Sequence, residues 1–177
     1  ESEEKIMREE YQRVFATVDL DAICSNMEKM KANVAEHTKL IGVIKTDGYG
    51  HGAVPIAREL EKLPFVWGYA TATAEEAFIL RHDEMKKPIL ILGYTFPYSY
   101  ERLITEEIRM AVFRKDMLLQ LSEKARRLGK KAKIHIKVDT GMGRIGVRPD
   151  QEGLEFVKEA FQTPGIEVEG IFTHFAR

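Results

Sequence analysis

The sequence predicts an α/β fold built around a parallel β-sheet, and two features of the chain support this. Short apolar runs bounded by turn residues recur along it and have the length of buried strands. Between them lie longer segments whose apolar residues recur every three or four positions, as on one face of a helix. Strands that alternate with helices are typical of parallel sheets. Six such strands can be counted, which fits both a doubly wound sheet and a (β/α)₈ barrel.

The six predicted strands begin with the apolar run at residue 40. They are expected at residues 40–44, 65–70, 88–92, 110–113, 133–138 and 166–173. Helices are expected at residues 53–63, 73–82, 115–128 and 150–162. Thr73 and Glu76 form a capping-box pattern at the start of the second of these helices. The alternating aromatic residues Phe65, Trp67 and Tyr69 are expected to serve packing.

Ahead of these strands, the chain shows one further strand pattern and one helix pattern. Residues 14–20 alternate loosely between apolar and polar positions, which predicts a strand. Asp21 is then expected to cap a helix that runs to about residue 37. The spacing of its apolar residues predicts one buried face, made of Ile23, Met27, Met30 and Val34. Residues 1–13 are strongly charged, and we expect a linker or a helix there.

Composition and charge exclude several functional classes. A chain of 177 residues can bury a sizeable core, and its formal net charge of −1 leaves no basic footprint for nucleic acid or an anionic membrane. Cys24 is the only cysteine, which excludes an internal disulfide and a cysteine-rich metal site. No apolar stretch reaches the length of a membrane span. We therefore expect a protein of a reducing compartment, the cytoplasm, with no metal and no nucleic-acid or membrane contact.

The two ends of the sequence indicate a piece of a longer protein. The chain begins Glu1-Ser2-Glu3-Glu4 without an initiator methionine. It stops at Arg177, directly after an apolar run. We therefore expect that it is excised from a longer protein that continues beyond this residue.

The stretch from residue 40 to residue 52 carries the most chemistry. An apolar strand ends at Lys45, and Gly48, Gly50 and Gly52 alternate through the loop that follows. An ammonium group at the end of a buried strand is costly unless it has a function. Glycines allow the backbone to lie close to a ligand because they have no Cβ, and Tyr49 adds a hydroxyl group to the same loop. The alternative is a solvated lysine ahead of a flexible turn, and the residues alone favour neither.

A second glycine-rich stretch follows the fifth predicted strand. Residues 141–146 match G-x-G-x-x-G, but Pro149 stands between this match and the next helix, which excludes a dinucleotide-binding fingerprint. Val147 lies one place too early for a kinase glycine loop. The better interpretation is a loop that presents Arg144 to an anionic group, because a guanidinium is a permanently charged, forked donor. The alternative is a solvated charge at the rim of the sheet.

The strand at residues 133–138 should carry polar side chains into the interior. Side chains alternate between the two faces of a strand, and the even-numbered residues here are apolar and should face the helices. His135, Lys137 and Asp139 then point inward. Desolvation and the charge of Arg144 should lower the pKa of Lys137. A neutral buried amine of this kind reacts with carbon dioxide to form a carbamate. The alternative is an unmodified lysine that contacts Asp139 or water.

Three segments resemble motifs of the alanine racemase family. Residues 43–52, Val-Ile-Lys-Thr-Asp-Gly-Tyr-Gly-His-Gly, are similar to the lysine motif that binds pyridoxal 5′-phosphate, with Thr46 and Gly48 where the family usually has alanine. Residues 137–146 and 173–176 are similar to two further motifs, in the family's order. The resemblance runs from about residue 15 to the last residue. It implies that residues 14–177 are the N-terminal part of a (β/α)₈ barrel that binds this cofactor, incomplete here, with about six of its eight strands.

The resemblance also implies roles for individual residues. Lys45 would bind pyridoxal 5′-phosphate covalently and exchange a proton on one face of the substrate α-carbon. Tyr49 would bind the cofactor phosphate, and Arg144 would contact the cofactor's phenolic oxygen and the substrate carboxylate. His174 would support an arginine at the pyridine nitrogen, and Lys137 occupies the place of the family's carbamylated lysine. That pyridine-side arginine is absent from this chain, as is the tyrosine that serves the other face from a partner subunit.

The activity implied by the resemblance is racemisation of alanine, or of serine, by proton transfer at the α-carbon with two bases. Such an enzyme acts on a small amino acid, supplies D-amino acids for peptidoglycan and works as a homodimer. It lies in the cytoplasm or in the cytoplasmic part of a membrane-tethered protein. With one base missing, this chain alone is expected to be inactive.

Two alternatives to the racemase stay open. One is a barrel decarboxylase that also uses pyridoxal 5′-phosphate, although the decarboxylases lack the run at residues 140–144. The other is a non-catalytic barrel that binds the cofactor for its homeostasis. Those proteins are single barrels, so the length of the whole protein would discriminate between them and a racemase.

Overall fold

A computed structural model describes residues 14–176, and one sheet of six parallel strands organises them. The strands lie in the sheet in their sequence order, so that each pairs with the one before it and β1 and β6 form the edges. They are β1 (Leu40–Val43), β2 (Val66–Thr71), β3 (Ile89–Ile91), β4 (Arg109–Val112), β5 (Ala132–Val138) and β6 (Ile166–Thr173). The predicted α/β fold and the six strands are confirmed.

Each pair of consecutive strands is joined by a segment that contains a helix, as parallel strands require. The helices are α1 (Leu20–Ala32), α2 (Ala53–Glu61), α3 (Ala74–His82), α4 (Tyr100–Thr105), α5 (Lys115–Arg127) and α6 (Gln151–Gln162), with a short 3₁₀ helix at Pro97–Ser99. The longest, α1 and α5, have 13 residues each. Within residues 14–176 none has the length and the apolar character that crossing a bilayer needs.

The core lies between the sheet and the helices. Helix α5 shows how the sequence produces it, because the apolar residues on one of its faces are buried: Met117, Leu118, Leu121 and Ala125. Ile134 and Ile136 of β5 are also fully buried, on the face that the alternation predicts. Burying a side chain such as Leu118 contributes about 2 kcal/mol.

The first two predicted elements differ from the structure. Residues 14–19 form no strand, and their apolar side chains are exposed, so the loose alternation marks no buried face. Asp19, rather than Asp21, caps α1, because its Oδ1 accepts the Ala22 N–H at 2.9 Å. The helix ends at Ala32, and it packs against the core through Leu20, Ile23 and Met27, while Met30 and Val34 are exposed. The linker or helix predicted at residues 1–13 lies outside the described residues.

Side-chain caps fix the start of two helices. Thr73 Oγ1 accepts the Glu76 N–H at 3.4 Å at the start of α3, as the capping-box pattern predicts. The Glu76 carboxylate accepts bonds from Thr46 and Ala72 instead of returning one to Thr73, so the reciprocal half of the capping box is wrong. Asp150 caps α6, with its Oδ1 accepting the N–H three residues on at 3.0 Å.

Two bulges change which side chains face the interior of the sheet. In β2 the pairing with β1 moves from Val66 directly to Gly68, and in β6 the pairing with β5 moves from Val168 directly to Gly170. Each bulge leaves one residue without a partner in the ladder. These two residues are Trp67 and Glu169.

The bulge in β2 splits the predicted row of packing aromatics. The Trp67 ring lies 5.6 Å from the His135 ring in the interior. The Tyr69 hydroxyl instead donates to the Ala57 carbonyl oxygen of α2 at 2.9 Å, on the helix side. Both residues serve packing, but on opposite faces of the sheet.

Candidate active site

One cavity of about 780 Å³ lies at the carboxyl ends of the strands, where a parallel barrel carries its chemistry. Apolar side chains of β1, β3 and β6 form most of its walls. Its polar groups come from the turn after β1, from β5 and the loop that follows it, and from the end of β6. The lining includes Lys45, Tyr49, Lys137, Arg144 and His174. The structure therefore brings all five predicted site residues to one cavity.

Lys45 opens a turn with left-handed backbone, which occupies Lys45–Tyr49 and ends at Gly50. Thr46, Asp47 and Tyr49 have φ values of 55°, 52° and 56°. L-residues avoid this conformation at roughly 1–2 kcal/mol each, so these three together cost about 3–6 kcal/mol. Strain of this size persists where the surrounding structure fixes it, and it is concentrated at functional sites.

Hydrogen bonds on both sides hold the turn. The Gly48 N–H donates to the Ile44 carbonyl oxygen at 2.9 Å, and the Gly52 N–H donates to the Asp47 carbonyl oxygen at 2.8 Å. The Asp47 carboxylate accepts the Ala53 N–H at 2.8 Å, which ties the turn to the start of α2. These bonds support the turn that carries the lysine at both of its ends.

Lys45 and Tyr49 occupy the same rim of the cavity. Lys45 is half-buried, and its Nζ lies 5.8 Å from the centre of the Tyr49 ring. Tyr49 is 58% exposed. A primary amine and a phenol therefore face the same opening, where both can reach a bound molecule.

Lys137 is the most buried of the five site residues, with 3% of its surface exposed. Its Nζ donates to the Val138 carbonyl oxygen at 2.7 Å and lies 5.6 Å from the centre of the Phe172 ring. Burial lowers the pKa of Lys137, and Arg144 adds to this while Asp139 opposes it. The predicted inward direction and the predicted fall in pKa are both confirmed.

Asp139 shapes the glycine-rich loop after β5. Its Oδ1 accepts the N–H groups of Gly143 and Gly141 at 3.0 Å each, and these bonds hold the pKa of Asp139 below its ordinary value. The carboxylate therefore serves the loop, whereas the strand alternation placed it in the interior. The loop returns to β5, because the Val147 N–H donates to the Lys137 carbonyl oxygen at 2.9 Å. A loop that closes on its own strand opens no helix, which agrees with the exclusion of a dinucleotide site.

Arg144 stands on this loop at the mouth of the cavity. It is exposed, and its neighbour Ile145 lines the cavity with it. Gly146 has a φ of 135°, and a Cβ there would lie 2.5 Å from the Asp139 backbone nitrogen. Only glycine allows the loop to pass so close to the strand, so this residue determines where the guanidinium is presented.

The end of β6 adds His174 and a pair of hydroxyl groups. His174 is exposed, and its Nδ1 donates to the carbonyl oxygen of the next residue at 2.8 Å. Thr173 Oγ1 donates to the Val138 carbonyl oxygen at 2.9 Å and lies 2.8 Å from Thr140 Oγ1. That carbonyl oxygen also accepts the Lys137 bond, so it links β6 to the buried amine.

The charges around the cavity are unbalanced. Lys45, Lys137 and Arg144 line it, whereas within residues 14–176 no aspartate or glutamate does. Basic groups gathered in a cavity whose lining has no acidic side chain bind anions such as phosphate and carboxylate. The sequence indicates the basic residues, but only the structure shows that no acidic side chain of residues 14–176 lines the cavity with them.

A polar cluster lies in the interior on the amino-terminal side of Lys137, and sequence analysis missed it. Arg109 and Glu169 form a two-bonded ion pair, with Nε to Oε2 at 2.7 Å and Nη2 to Oε1 at 2.8 Å. Their side chains are 9% and 25% exposed. His135 Nε2 lies 3.3 Å from Glu169 Oε2, and the Trp67 ring centre is 5.8 Å from the Arg109 guanidinium. The bulges bring Trp67 and Glu169 here, and the sequence signal that accompanies each bulge is the glycine that follows it, Gly68 or Gly170.

This cluster makes the fold sensitive to acid. Burial lowers the pKa of His135, against the opposing effect of Glu169, and the Arg109 hydrogen bonds lower the pKa of Glu169. Both groups bind protons more readily in the unfolded chain, so acid favours unfolding. Stability should fall as the pH drops below about 6.5, the ordinary histidine pKa, and again below about 4.3 through Glu169.

We expect His135→Phe to remove the first part of this pH dependence, because phenylalanine can pack against Trp67 and does not titrate. The measurement is the urea midpoint of unfolding between about pH 8 and about pH 5. His82→Phe is the matched control, because His82 is exposed at the end of α3. An unchanged slope in His135→Phe would contradict the assignment.

A second cavity, of about 660 Å³, lies between the turn into α5 and the start of α6. Acidic and basic side chains line it together, and pairs such as Lys115 and Glu159, 2.8 Å apart, balance one another. It contains none of the predicted site residues. The first cavity is therefore the candidate site.

Comparisons with known proteins show which family this chain resembles. Residues 18–177 match the family model described as alanine racemase, N-terminal domain. Alanine racemase 1 of Oceanobacillus iheyensis is 43% identical over 167 residues, which are 94% of this chain and 44% of that protein. Alanine racemase of Clostridium perfringens (strain SM101 / Type A) is 45% identical over 163 residues, which are 92% of this chain and 42% of that protein. The chain thus spans less than half the length of these relatives.

Solved structures show the same likeness in three dimensions. Alanine racemase of Clostridium difficile 630 superposes with a TM-score of 0.86 at 39% identity, over 92% of this chain and 44% of that one. Histidine racemase of Leuconostoc mesenteroides subsp. sake superposes with a TM-score of 0.80 at 27% identity, over 89% of this chain and 42% of that one. The fold, the three motifs and the match over residues 18–177 lead to one conclusion: the chain belongs to the alanine racemase family, as its N-terminal domain.

Proposed function

We propose that this chain is the cofactor-binding part of a racemase that uses pyridoxal 5′-phosphate to interconvert the L- and D-forms of a small amino acid. The observation that carries the proposal is the cavity, which has three basic side chains, no acidic one within residues 14–176, and a lysine fixed on a strained turn at its rim. The cofactor and an amino-acid substrate both bring anionic groups. A lysine amine is the group that binds the cofactor's aldehyde.

The residues of the cavity fit this cofactor. The Tyr49 hydroxyl would donate one hydrogen bond to the cofactor phosphate. The Arg144 guanidinium, a forked donor, would bind the phenolic oxygen. The apolar walls, to which Val43 and Leu92 contribute, suit a flat aromatic ring. A volume of about 780 Å³ lies within the range of sites for ligands of this size.

The proposed mechanism assigns the proton transfer on one face to Lys45. When bound, the cofactor supplies delocalisation of the negative charge that develops on the substrate α-carbon. The Lys45 amine would hold the cofactor, and as a free amine it would remove or return the α-proton of the substrate. Arg144 would bind the substrate carboxylate, because a guanidinium can donate two parallel hydrogen bonds to it and so restrict its rotation.

Racemisation also needs a proton donor on the opposite face of the α-carbon. Within residues 14–176 Lys45 is the residue that we assign as a base. We infer that the second base comes from outside this chain, from a partner subunit of a homodimer, as the resemblance implies. The site would then be complete only in the assembled enzyme.

Alanine is the substrate we propose first, since the relatives at 43% and 45% identity are named alanine racemases. Serine is the alternative. The histidine racemase shares this fold at a TM-score of 0.80, so the fold of this part does not by itself determine the substrate side chain. Rates with L-alanine and L-serine, measured on the protein that carries this chain, would separate the two. The product would be a D-amino acid for peptidoglycan, formed in the cytoplasm.

Borohydride reduction tests the proposal directly. Reducing the protein that carries this chain in the presence of pyridoxal 5′-phosphate should fix the cofactor on Lys45. Peptide mapping by mass spectrometry then locates the label. A label on a different lysine, or none, would overturn the assignment, and a label without racemase activity would favour a binding barrel.

We further propose that Lys137 carries a carbamate in the intact enzyme. Its neutral amine would attack carbon dioxide, forming an N–C bond and releasing one proton. The lowered pKa supports this, because it raises the neutral fraction of the amine. The resulting anion could pair with Arg144, which already contributes to that lowered pKa.

Carbon-13 NMR with labelled bicarbonate checks the modification. We expect a carbamate signal in the protein at about neutral pH, growing as the pH rises and the amine loses its proton. Lys137→Arg should lack the signal, because arginine stays protonated. A spectrum without the signal in the wild-type protein would mean that Lys137 is unmodified.

A further inference from the structure

Glu76 links the ends of two strands through its side chain. It stands in the first turn of α3, and its Oε1 accepts the Thr46 N–H at 2.8 Å. Its Oε2 accepts the Ala72 N–H at 2.7 Å. One N–H follows β1 and the other follows β2, so a single carboxylate joins the two loops at the carboxyl ends of neighbouring strands.

The Glu76 carboxylate accepts a backbone N–H just beyond the end of the hydrogen-bond ladder between β1 and β2. The Ile44 N–H still donates to the Ala70 carbonyl oxygen of β2 at 3.0 Å. Two residues on, the Thr46 N–H donates to Glu76. The carboxylate thus stands between two backbone donors, and an ionised carboxylate makes stronger bonds to backbone N–H groups than a neutral acceptor does.

The Thr46 N–H belongs to the peptide bond that Lys45 forms with Thr46. Thr46 is also the first residue of the turn with positive φ, at 55°. A bond at this atom holds the peptide plane in place, and the direction of the Lys45 side chain depends on that plane. The anchor at Asp47 acts on the other end of the turn.

The support behind Glu76 is itself well fixed. Ala74 and Ala77 of the same helix are buried against the core. Thr73 Oγ1 accepts the Glu76 N–H, which holds the backbone of Glu76 at the helix start. A side chain that reaches two loops from such a base can transmit the position of α3 to the lysine turn.

We propose that Glu76 is a positioning residue for Lys45, acting through the Thr46 and Ala72 amides. We call the two bonds from the Thr46 and Ala72 amides to the Glu76 carboxylate the Glu76 clamp. Its role in the reaction rests on the proposed function, whereas the clamp itself can be tested without cofactor. Two donors need two acceptor oxygens. Glutamine has one acceptor oxygen, and its NH₂ group would face a second N–H.

Glu76→Gln is therefore the decisive variant, since it preserves size and removes one acceptor. Glu75→Gln is the matched control, because Glu75 is the exposed neighbour in the same helix turn and loses the same charge. Hydrogen exchange of residues 45–47 and 72, followed in the protein that carries this chain without added cofactor, reads the clamp. We expect exchange at Thr46 or Ala72 to rise about tenfold or more in Glu76→Gln and to stay unchanged in Glu75→Gln.

Two further readouts connect the clamp to Lys45. In Glu76→Gln the yield of cofactor fixed on Lys45 by borohydride should fall, and kcat should drop about tenfold or more with a much smaller change in KM. Exchange and labelling equal to those of the control would overturn the proposal.

The wild-type protein gives an independent check if the variant fails to fold. Thr46 is an exposed residue, so protection of its amide requires the Glu76 bond. Fast exchange at Thr46 in the wild type would overturn the clamp. Slow exchange without a borohydride label on Lys45 would keep the clamp and reject the proposed function, so the two failures are distinguishable.

Discussion

Replacing Lys45 by arginine should reduce racemisation by the protein that carries this chain by about 10³-fold or more, in the range that a general base contributes. Arginine stays protonated, so it can neither bind the cofactor's aldehyde nor remove the α-proton. The measurements are kcat/KM with L-alanine and L-serine, and the cofactor that stays with the protein through gel filtration. We expect both to fall.

Lys39→Arg is the matched control for this variant. Lys39 is exposed and precedes β1, so it lies at the opposite end of the strand that leads to Lys45. The same replacement there should leave activity and cofactor content unchanged. Activity retained in Lys45→Arg would show that another residue carries the proton.

Replacing Arg109 by leucine should lower the free energy of unfolding by about 2–3 kcal/mol. Removing one partner of a buried ion pair leaves the other without its counter-charge, at a typical cost of about 3–5 kcal/mol. Glu169 keeps a quarter of its surface exposed, and water lessens the cost. Urea unfolding of the protein that carries this chain measures the change.

Arg114→Leu is the matched control. Arg114 makes the same two-bonded contact with Asp116, at 2.9 and 2.6 Å, but both side chains are largely exposed. An exposed pair contributes little, so this variant should lose far less stability. In the double variant Arg109→Leu/Glu169→Leu most of the loss should be recovered, because no charge is left unpaired. Equal losses for the two single arginine variants would contradict this account.

The sheet and the placement of its site residues could be predicted because both follow from simple periodicity. An apolar run, a helix pattern and another apolar run define a parallel unit, and six strands result. Lys45 and His174 lie at the carboxyl ends of predicted strands. Because the carboxyl ends of parallel strands meet at one edge of a sheet, the sequence predicted that both residues lie at that edge. The alternation of β5 likewise predicted that Lys137 faces inward.

The handedness of the turn after Lys45 could not be predicted. Thr46 is β-branched, which disfavours positive φ, and Asp47 belongs to a residue type that adopts positive φ more often than most but still in a minority of cases. Local backbone bonds and the Asp47 carboxylate hold the turn, and one further bond comes from Glu76, which lies thirty residues away in the sequence. In the capping-box pattern the carboxylate was expected to bond Thr73, whereas in the structure a tertiary contact displaces that local bond.

The polar cluster around Arg109 and Glu169 could not be predicted either, because it too depends on contacts between residues that are distant in the sequence. Strict alternation places Trp67 and Tyr69 on one face, and a bulge separates them. A bulge likewise brings Glu169 to Arg109, although no spacing rule joins residues 60 positions apart. The predicted strand at residues 14–20 is wrong for a different reason. The sequence alternates loosely there, but the apolar side chains of this segment are exposed and form no buried face.

The sequential strand order bears on how the chain folds while it is being synthesised. Each strand can join the sheet as soon as it and its helix have left the ribosome, because its partner is already present. The Arg109–Glu169 pair spans β4 and β6, so it forms only when the last of the six strands has joined. Contacts that form late in folding slow unfolding and hardly affect the folding rate. We therefore expect the loss of this ion pair to speed unfolding more than it slows the folding of a newly made chain.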